Sequence, residues 1–563
     1  MERQNHQTIL DRIEAGRILW KETPNRLELL RLARAFPRTG QQTQAINIYR
    51  NHAIEPILTL GVAYQLYCGY EVTATIGPYD DSFGFGGVTP CIDGANVIWL
   101  DLSRYNFQSQ EVAVSWIRER LAKLRSLTPS PILAIACSSP FNAPFPQDAI
   151  TSHLPDTLFV EIDDQTTKSA LPAPTSKEVE NYASSLNTRL HTQVARQLFC
   201  KWLPTFSSPL KKAIILDLDN TLYQGVLGED GRDGVKLSPA HAELHRQLIE
   251  YRKRGLFLAL ASKNQLDDVK AMFESRTDFP LKWAHFSAHA ISWHPKSRSI
   301  ETIAEQLRVG YDSLIFIDDN PSELFDVSRS LPQVSLVHAQ EDAAHTGRAL
   351  EFTPGLWRPR QTPEDSKRLA DLAANDIRSK VAASASTPES YLAALETKVA
   401  HYINFVGHTE RIADLSKKTN QFNAALRRFS ETQINSFLKE ANFSLVTATL
   451  DDKLSSSGII CAVIAHFSNA TIFIDEICIS CRALGRGLEN TLIFGAVKAA
   501  RFFSDCEKVF VRFEPGPRNE PAKSWIEGIL NKPPTPGYNE ISKDLIETFK
   551  FPESITYMLH ETE

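Results

Sequence analysis

What this chain lacks narrows the field first. Across its 563 residues there is no apolar run near the ~20 residues that a membrane-spanning helix needs. The opening Met1-Glu-Arg-Gln-Asn-His is polar and carries no signal-peptide pattern, which predicts a cytoplasmic protein with reduced thiols. Eight cysteines stand at 68, 91, 137, 200, 461, 478, 481 and 506, without the paired spacing of a disulfide framework. Cys478 and Cys481 form a C-x-x-C, but no second pair completes a zinc site. An excess of positive charge is missing too: 61 Lys and Arg face 67 Asp and Glu, a net charge of −6 that argues against a general nucleic-acid binder. The remainder, 42% apolar and 23% charged, is ordinary for a globular protein. Length alone predicts about three or four domains.

The most informative stretch runs from Ala213 to Gly231. Ala213-Ile-Ile-Leu216 reads as a buried strand, and a turn-rich polar segment follows. Asp217 and Asp219 therefore stand at the strand's carboxyl end, the edge of an open α/β sheet where ligands bind. Curling of the backbone there lets residues i and i+2 face one pocket. One carboxylate can then attack phosphorus while the other handles the leaving-group proton. A capping aspartate pair at a strand-to-helix junction is the plainer alternative.

Three later signals share that placement. Leu256-Phe-Leu-Ala-Leu-Ala261 predicts a second buried strand followed by Ser262-Lys-Asn264. The Ser262 hydroxyl suits either a phosphoryl oxygen or a helix N-cap. Ile291-Ser-Trp-His-Pro-Lys296 precedes a helix over 299–307, and Lys296 would neutralise phosphate, or else lie solvated on the surface. Ser313-Leu-Ile-Phe-Ile-Asp-Asp-Asn-Pro321 ends a further strand on two acids, Asp318 and Asp319. Carboxylate oxygens, few in number, are what Mg²⁺ prefers when substrate phosphate completes its shell. Each acid or hydroxyl ends an apolar strand, and this joint pattern is far more specific than any one motif.

Before this unit, residues 1–206 predict helices at 8–20 and 25–36, strands at 45–49, 71–76, 96–102, 131–137 and 158–162, and helices at 110–125 and 177–202. That alternation implies a parallel sheet. No serine follows the first strand; Tyr49-Arg-Asn-His-Ala-Ile stands there, and His52 reads as a helix-start residue rather than a catalyst. Asp148 and His153, in a Pro-rich loop, make no convincing pair. After the acid-rich unit, the Pro- and Ala/Ser-rich segment 346–385, with a charged helix inside it, reads as a linker. Residues 386–563 mix helices with antiparallel-looking strands at 444–450, 458–467 and 470–480. There Cys478-Ile-Ser-Cys481 ends a strand and Arg482-Ala-Leu-Gly-Arg-Gly487 opens a helix. That turn presents bare backbone N–H groups to pyrophosphate or pantetheine, or is a plain tight turn.

The order Asp217/Asp219, Ser262, Lys296, Asp318/Asp319 resembles a haloacid-dehalogenase (HAD) superfamily phosphatase. The stretch Leu216–Gly231 is similar to the FkbH-like branch, with its D-L-D-N-T-L-W-G-G-V, G-E-D-G, S-K-N, W-x-x-K and F-x-D-D-N-P motifs. Here Tyr223-Gln224 replaces the usual Trp-Gly. The branch also carries a GNAT-like acyltransferase domain, and its K-T-N-Q-F-N and S-C-R-x-x-G-R-G stand at 418–423 and 480–487. Two family elements are altered, at Asp451-Asp-Lys-Leu-Ser-Ser-Ser-Gly458 and Phe513-Glu-Pro-Gly-Pro-Arg-Asn519.

The resemblance implies a multidomain α/β chain: an N-terminal parallel-sheet α/β domain (degenerate SGNH-like, non-catalytic) at 1–206, a Rossmann-like HAD domain at 207–345, and an α+β GNAT-like domain at 386–563. It implies that Asp217 is the nucleophile and Asp219 the general acid/base. Thr221, Ser262 and Lys296 would bind phosphate, and Asp217, the Asp219 carbonyl and Asp318 would hold Mg²⁺ with Asp319 in support. Family members take D-1,3-bisphosphoglycerate, hold its acyl group as an enzyme thioester, dephosphorylate it, and pass glyceryl to an acyl carrier protein. Cys481 is then the candidate thiol, next to Arg482 and a helix start, though a small buried strand residue is the rival reading. Asn420, Arg482, Gly485 and Gly487 would meet the acyl or pantetheine group. Lys417, Lys418, Arg427 and Arg428 would offer a basic cluster to an acidic carrier, or form a solvated helix face. No membrane or nucleic-acid partner is expected.

Overall fold

The structure is a computed structural model, and it describes residues 2–36, 42–80, 84–162, 186–360, 363–419, 421–516 and 518–561. The chain divides into two compact units, one from 1–252, 257–304 and 311–360, the other from 361–563 with the short segments 253–256 and 305–310. It is a mixed α/β protein with two parallel sheets and one mixed sheet.

The first unit holds both parallel sheets, each of five strands. Strands β1 (Gln42–Arg50), β2 (Tyr70–Tyr79), β3 (Gly94–Asp101), β4 (Ile132–Cys137) and β5 (Thr157–Glu161) lie in the order β2-β1-β3-β4-β5. Every residue of β4 is buried, as a central parallel strand with helices on both faces requires. One covering helix, Gln110–Leu127, starts on Ser109, whose hydroxyl accepts from the Val112 N–H. It turns Ala113, Ile117, Leu121 and Leu124 inward at helical spacing. The helix expected at 177–202 is described from Thr188; it runs to Gln197 and continues as a π turn over Leu198–Trp202, while 177–185 lie outside the described residues.

The second sheet comprises β6 (Ala213–Leu216), β7 (Phe257–Ser262), β8 (Ala288–Ile291), β9 (Leu314–Asp318) and β10 (Ser335–His338), all parallel, in the order β10-β9-β6-β7-β8. The chain moves from β6 outward through β7 and β8, then returns to lay β9 on the other side of β6. Strand order thus reverses between β6 and β9, and the crevice at such a reversal is where open α/β sheets bind ligands.

The segment read as a linker is built into the structure. Residues 346–351 complete the helix Ala343–Glu351; Gly355 O accepts from the Lys211 N–H at 3.0 Å, and Arg358 donates to Lys211 O at 2.7 Å. Phe352 stacks on Trp20 with ring centres 6.0 Å apart, Arg348 Nε donates to Trp20 O at 2.6 Å, and Glu351 pairs with Lys201 at 2.6 Å. These contacts tie 346–358 to both 1–206 and 207–345, which share one compact unit. The physical reason is that the proline-rich composition also carries Phe352, Leu356 and Arg358, which have partners only once the chain is folded.

The second unit is a mixed sheet of β11 (Lys398–Ile403), β12 (Phe422–Asn423), β13 (Phe443–Asp451), β14 (Ser456–Ser468), β15 (Thr471–Ile479), β16 (Lys508–Phe513), β17 (Gly537–Ile541) and β18 (Thr556–Glu561). Its order is β17-β16-β15-β14-β13-β11-β18, with β12 beside β15. Most neighbours are antiparallel, but β15 runs parallel to β16 and β11 to β18. The rest of the expected linker is the helix Pro363–Ser384. From it Arg378 reaches Asp371 at 3.0 Å and Asp452 at 2.8 Å, and Arg486 joins the same two carboxylates at 3.4 and 3.0 Å. The four side chains are buried and their charges balanced, two guanidiniums against two carboxylates. Among the described residues no helix is long and apolar enough to cross a membrane.

Candidate active site

The carboxyl edge of the second sheet gathers the acids that the sequence spreads between positions 217 and 319. Asp217 directly follows β6, its N–H donating to Ile317 O on β9 at 2.9 Å. Asp318 ends β9, Ser262 ends β7, and Lys296 starts the helix Lys296–Leu307 beyond β8. The lysine reaches back across the sheet edge. Its Nζ lies 2.6 Å from Asp217 Oδ1 and 3.0 Å from Asp318 Oδ2, and donates to Ala261 O at 2.7 Å. All three charged groups are buried.

Electrostatics at this edge are strained toward negative charge. Burial pushes the Asp318 carboxyl up to about 7, and the like charge of Asp217 adds to that push against the opposing pull of Lys296. Burial likewise raises Asp319 to about 6, again with Asp217 contributing. Burial disfavours the Lys296 ammonium, yet the carboxylates of Asp217 and Asp318 outweigh it and hold its pKa above the ordinary value. Asp217, Asp318 and Asp319 each offer an oxygen within 4.8 Å of the others, so the three can hold a metal ion. An all-oxygen, carboxylate donor set suits a hard divalent cation such as Mg²⁺, and positive charge placed there offsets the like charge that Asp217 adds to the effect of burial on Asp318.

Asp219 is used differently. Its carboxylate is not one of the three; Oδ1 accepts from the Tyr223 hydroxyl at 2.7 Å and the Leu227 N–H at 2.9 Å, and Oδ2 accepts from Asn264 Nδ2 at 2.9 Å. Any contribution of Asp219 to a metal therefore rests with its backbone carbonyl. The local chain makes this possible: Asn220 takes a left-handed conformation (φ 51°), Leu222 N–H returns to Leu218 O at 2.9 Å, and the Asn220 side chain accepts from the Gly225 N–H at 3.0 Å. Thr221 sits inside that turn with a buried hydroxyl that has no hydrogen-bond partner, a polar atom suited to a phosphoryl oxygen. Ser262 Oγ is buried beside Asn264, from whose amide it accepts at 3.1 Å. Tyr223 and Asn264 are candidate functional residues that the sequence does not single out. The S-K-N run and the altered Tyr223-Gln224 were the only local signals.

At the carboxyl edge of the first sheet, His52 is a core residue. Its ring stacks on Trp99 with centres 4.8 Å apart, Nδ1 faces Asn51 Oδ1 at 3.0 Å, and Nε2 faces Cys137 Sγ at 3.5 Å. Burial lowers its pKa to about 3.

In the second unit, Cys481 is half-buried just past β15, and Cys478 is buried within that strand, its thiol pushed far up by burial. The turn from Arg482 to Gly487 follows, with Gly485 and Gly487 in left-handed conformations (φ 75° and 69°) that favour glycine, and leads into the helix Glu489–Ala499. Strands β15 and β16 pair from Thr471/Lys508 to Ile474/Val511 and then part. β12 pairs with β15 further on, at Cys478 and Ile479. Asn423 of β12 is buried and donates to Ser416 O and Thr419 O; its carbonyl accepts from Asn519 at 3.1 Å. Asn420 lies outside the described residues. Arg486 belongs to the balanced network above. The expected basic cluster is largely spent internally: Arg427 pairs with Asp475 at 2.9 Å, Arg428 donates to the carbonyls of Ser416 and Thr419, and Lys418 pairs with Asp414. Asp475 is distant in sequence, and carbonyl acceptors carry no sequence signal, so these arginines read as free.

No family model matches the chain, and no curated protein matches it significantly. Among solved structures it is similar to the N-terminal part of BF1531 from Bacteroides fragilis, described as containing a phosphatase domain complexed with Mg. Identity is 17% and the TM-score 0.44, covering 58% of this chain and 97% of that one. A Streptomyces avermitilis protein described as an HAD-family hydrolase is 15% identical with a TM-score of 0.20, over 26% of this chain and 96% of that one. A chain of the Pnkp1/Rnl/Hen1 complex is 13% identical with a TM-score of 0.18, over 54% and 97%.

Proposed function

We propose that this chain is a Mg²⁺-dependent phosphatase coupled to a glyceryl transferase. In this reading the phosphoglyceryl group of D-1,3-bisphosphoglycerate is captured as a thioester on Cys481. Its phosphate is then removed through an aspartyl-phosphate on Asp217, and glyceryl passes to an acyl carrier protein in polyketide-type biosynthesis. One observation carries the phosphatase half: Lys296 bridges Asp217 and Asp318 at the strand-order reversal.

The steps follow from those groups. Asp217 attacks phosphorus, and the bond to the leaving oxygen breaks with its electron pair going to that oxygen. Asp219 gives the oxygen a proton, then takes one from the water that attacks the aspartyl-phosphate, so that Asp217 is released as a carboxylate. Lys296, Thr221 and Ser262 bind and orient phosphoryl oxygens. Mg²⁺ held by Asp217, Asp318 and Asp319 would neutralise phosphoryl charge. The transferase half is supported by Cys481 standing half-buried at the start of the Arg482–Gly487 turn, where β15 and β16 have already parted. A cysteine thiolate there attacks the acyl carbonyl carbon, and the acyl phosphate leaves as inorganic phosphate.

Intact-protein mass spectrometry with Mg²⁺ and freshly generated 1,3-bisphosphoglycerate tests this reading. A glyceryl-sized adduct is expected on the native chain, none on Cys481→Ala, and a phosphoglyceryl-sized adduct persisting on Asp217→Asn. An adduct absent from every form, alongside hydrolysis of simple phosphomonoesters, leaves a phosphatase without thioester chemistry.

A further inference from the structure

In the phosphatase reading Asp219 makes two proton transfers, which require its carboxylate to be held in place and one of its oxygens to carry the proton. Asp219 Oδ1 accepts two hydrogen bonds, from Tyr223 and the Leu227 N–H, which occupy both of its lone pairs. Asp219 Oδ2 accepts one, from Asn264 Nδ2, and retains one lone pair. The Asn264 amide is itself oriented, since its Nδ2 also donates to Ser262 Oγ at 3.1 Å. Tyr223 is fully buried, and its ring stacks on Phe279 with centres 5.9 Å apart. Burial pushes the phenol pKa far above its ordinary value, so the hydroxyl stays a donor.

We propose that Tyr223, with Asn264, is a positioning residue that divides the Asp219 carboxylate into a fixed oxygen, Oδ1, and a working oxygen, Oδ2, from which the leaving group takes its proton. The proposal rests on the phosphatase reading and adds to it a residue at which the chain departs from the family pattern. In the first half-reaction the proton moves from Asp219 Oδ2 to the departing oxygen as the P–O bond breaks. The carboxylate that remains is held by the same three donors until water returns a proton to Oδ2.

The need for that proton depends on the leaving group, which supplies the test. A simple alkyl phosphate releases a basic alkoxide that must be protonated, whereas p-nitrophenyl phosphate releases a stable phenolate that need not be. The constant kcat/KM reports events up to the first phosphoryl transfer, so the water-activating step drops out of the comparison. In Tyr223→Phe the ratio of kcat/KM for glycerol 2-phosphate to that for p-nitrophenyl phosphate is expected to fall about tenfold, a fraction of the 10²–10⁴ that general acid catalysis contributes. Asn264→Leu, which removes the donor on the other oxygen, is expected to lower the same ratio and serves if the first variant does not fold. Equal losses on both substrates, or none, would overturn the proposal, since a merely structural role damages both alike. Asp217→Asn run beside them separates the two ideas: hydrolysis that survives it overturns the phosphatase reading itself.

Discussion

The first unit contains two sheets of the same design, five parallel strands each, with polar residues gathered at both carboxyl edges. The edges differ in what those residues do for one another. On the first sheet Asn51 Nδ2 donates to Asp101 O at 3.0 Å, Asp101 N–H donates to Asn51 Oδ1 at 2.8 Å, and His52 completes the set against Asn51 and Cys137. The groups satisfy each other, and burial keeps the imidazole neutral. On the second sheet three carboxylates face one ammonium, and a threonine hydroxyl is buried without a partner. Negative charge there is met from within only by Lys296 and by protons on Asp318 and Asp319, and a cation held by the three carboxylates would take the place of those protons. Polar burial therefore separates structure from function only when partners and charges are counted.

Replacing Lys296 tests that contrast most severely. In Lys296→Met, Asp217 and Asp318 remain buried without their shared counter-ion. Loss of one partner of a buried pair costs about 3–5 kcal/mol, expected as a lower denaturation midpoint, together with a fall of about 10²–10³ in phosphomonoester hydrolysis. A variant as stable and active as the native chain would dissolve the distinction between the edges.

Metal binding should sharpen it. Asp318 and Asp319, raised to about 7 and about 6, hold protons in the metal-free fold that the unfolded chain releases near 4. The folded form thus binds more protons between about 4 and 7, and metal-free stability falls as pH rises through that window. Ligation needs the carboxylates ionised, so Mg²⁺ affinity should rise at least tenfold from pH 5 to pH 8, as read by titration calorimetry. A flat affinity would show that other groups hold the ion.

The first edge answers with the opposite sign and a smaller effect. With His52 depressed to about 3, the unfolded chain binds more protons between about 3 and 6.5. Stability present above pH 6.5 is lost as pH falls, by about 1 kcal/mol from pH 6.5 to 5.5 for this one group. His52→Phe should flatten that slope without changing the hydrolysis proposed for the second edge. An unaltered slope would mean that His52 is not the neutral core residue its surroundings make it.

Strands β6, β7 and β9 were legible because a buried parallel strand is an unbroken apolar run that stops at a turn. β8 and β10 were not, since Ala288-His-Ala-Ile291 and Ser335-Leu-Val-His338 are short, half-buried edges carrying a histidine each. The three parallel strands of the second sheet that end in a chemical residue announced the site. The residues that hold Asp219 were marked only by the S-K-N run and the altered Tyr223-Gln224, because Tyr223 finds that carboxylate after the chain curls through Asn220 and Asn264 finds it from the end of the neighbouring β7. Arg427 and Arg428 misled for a related reason: their acceptors are a distant aspartate and backbone carbonyls.

Which residues stand at strand ends is written locally in the chain, because apolar runs followed by polar turns fix both the strand and its terminus. The sequence also supplied the order of acids, hydroxyl and lysine on which the proposed phosphatase rests. That β9 lies against β6, which brings Asp318 beside Asp217 and both within reach of Lys296, comes from the packing of the whole fold. Adjacency across such a separation depends on how crossovers pack on a twisted sheet and on which faces must be covered, and no local stretch of chain encodes it.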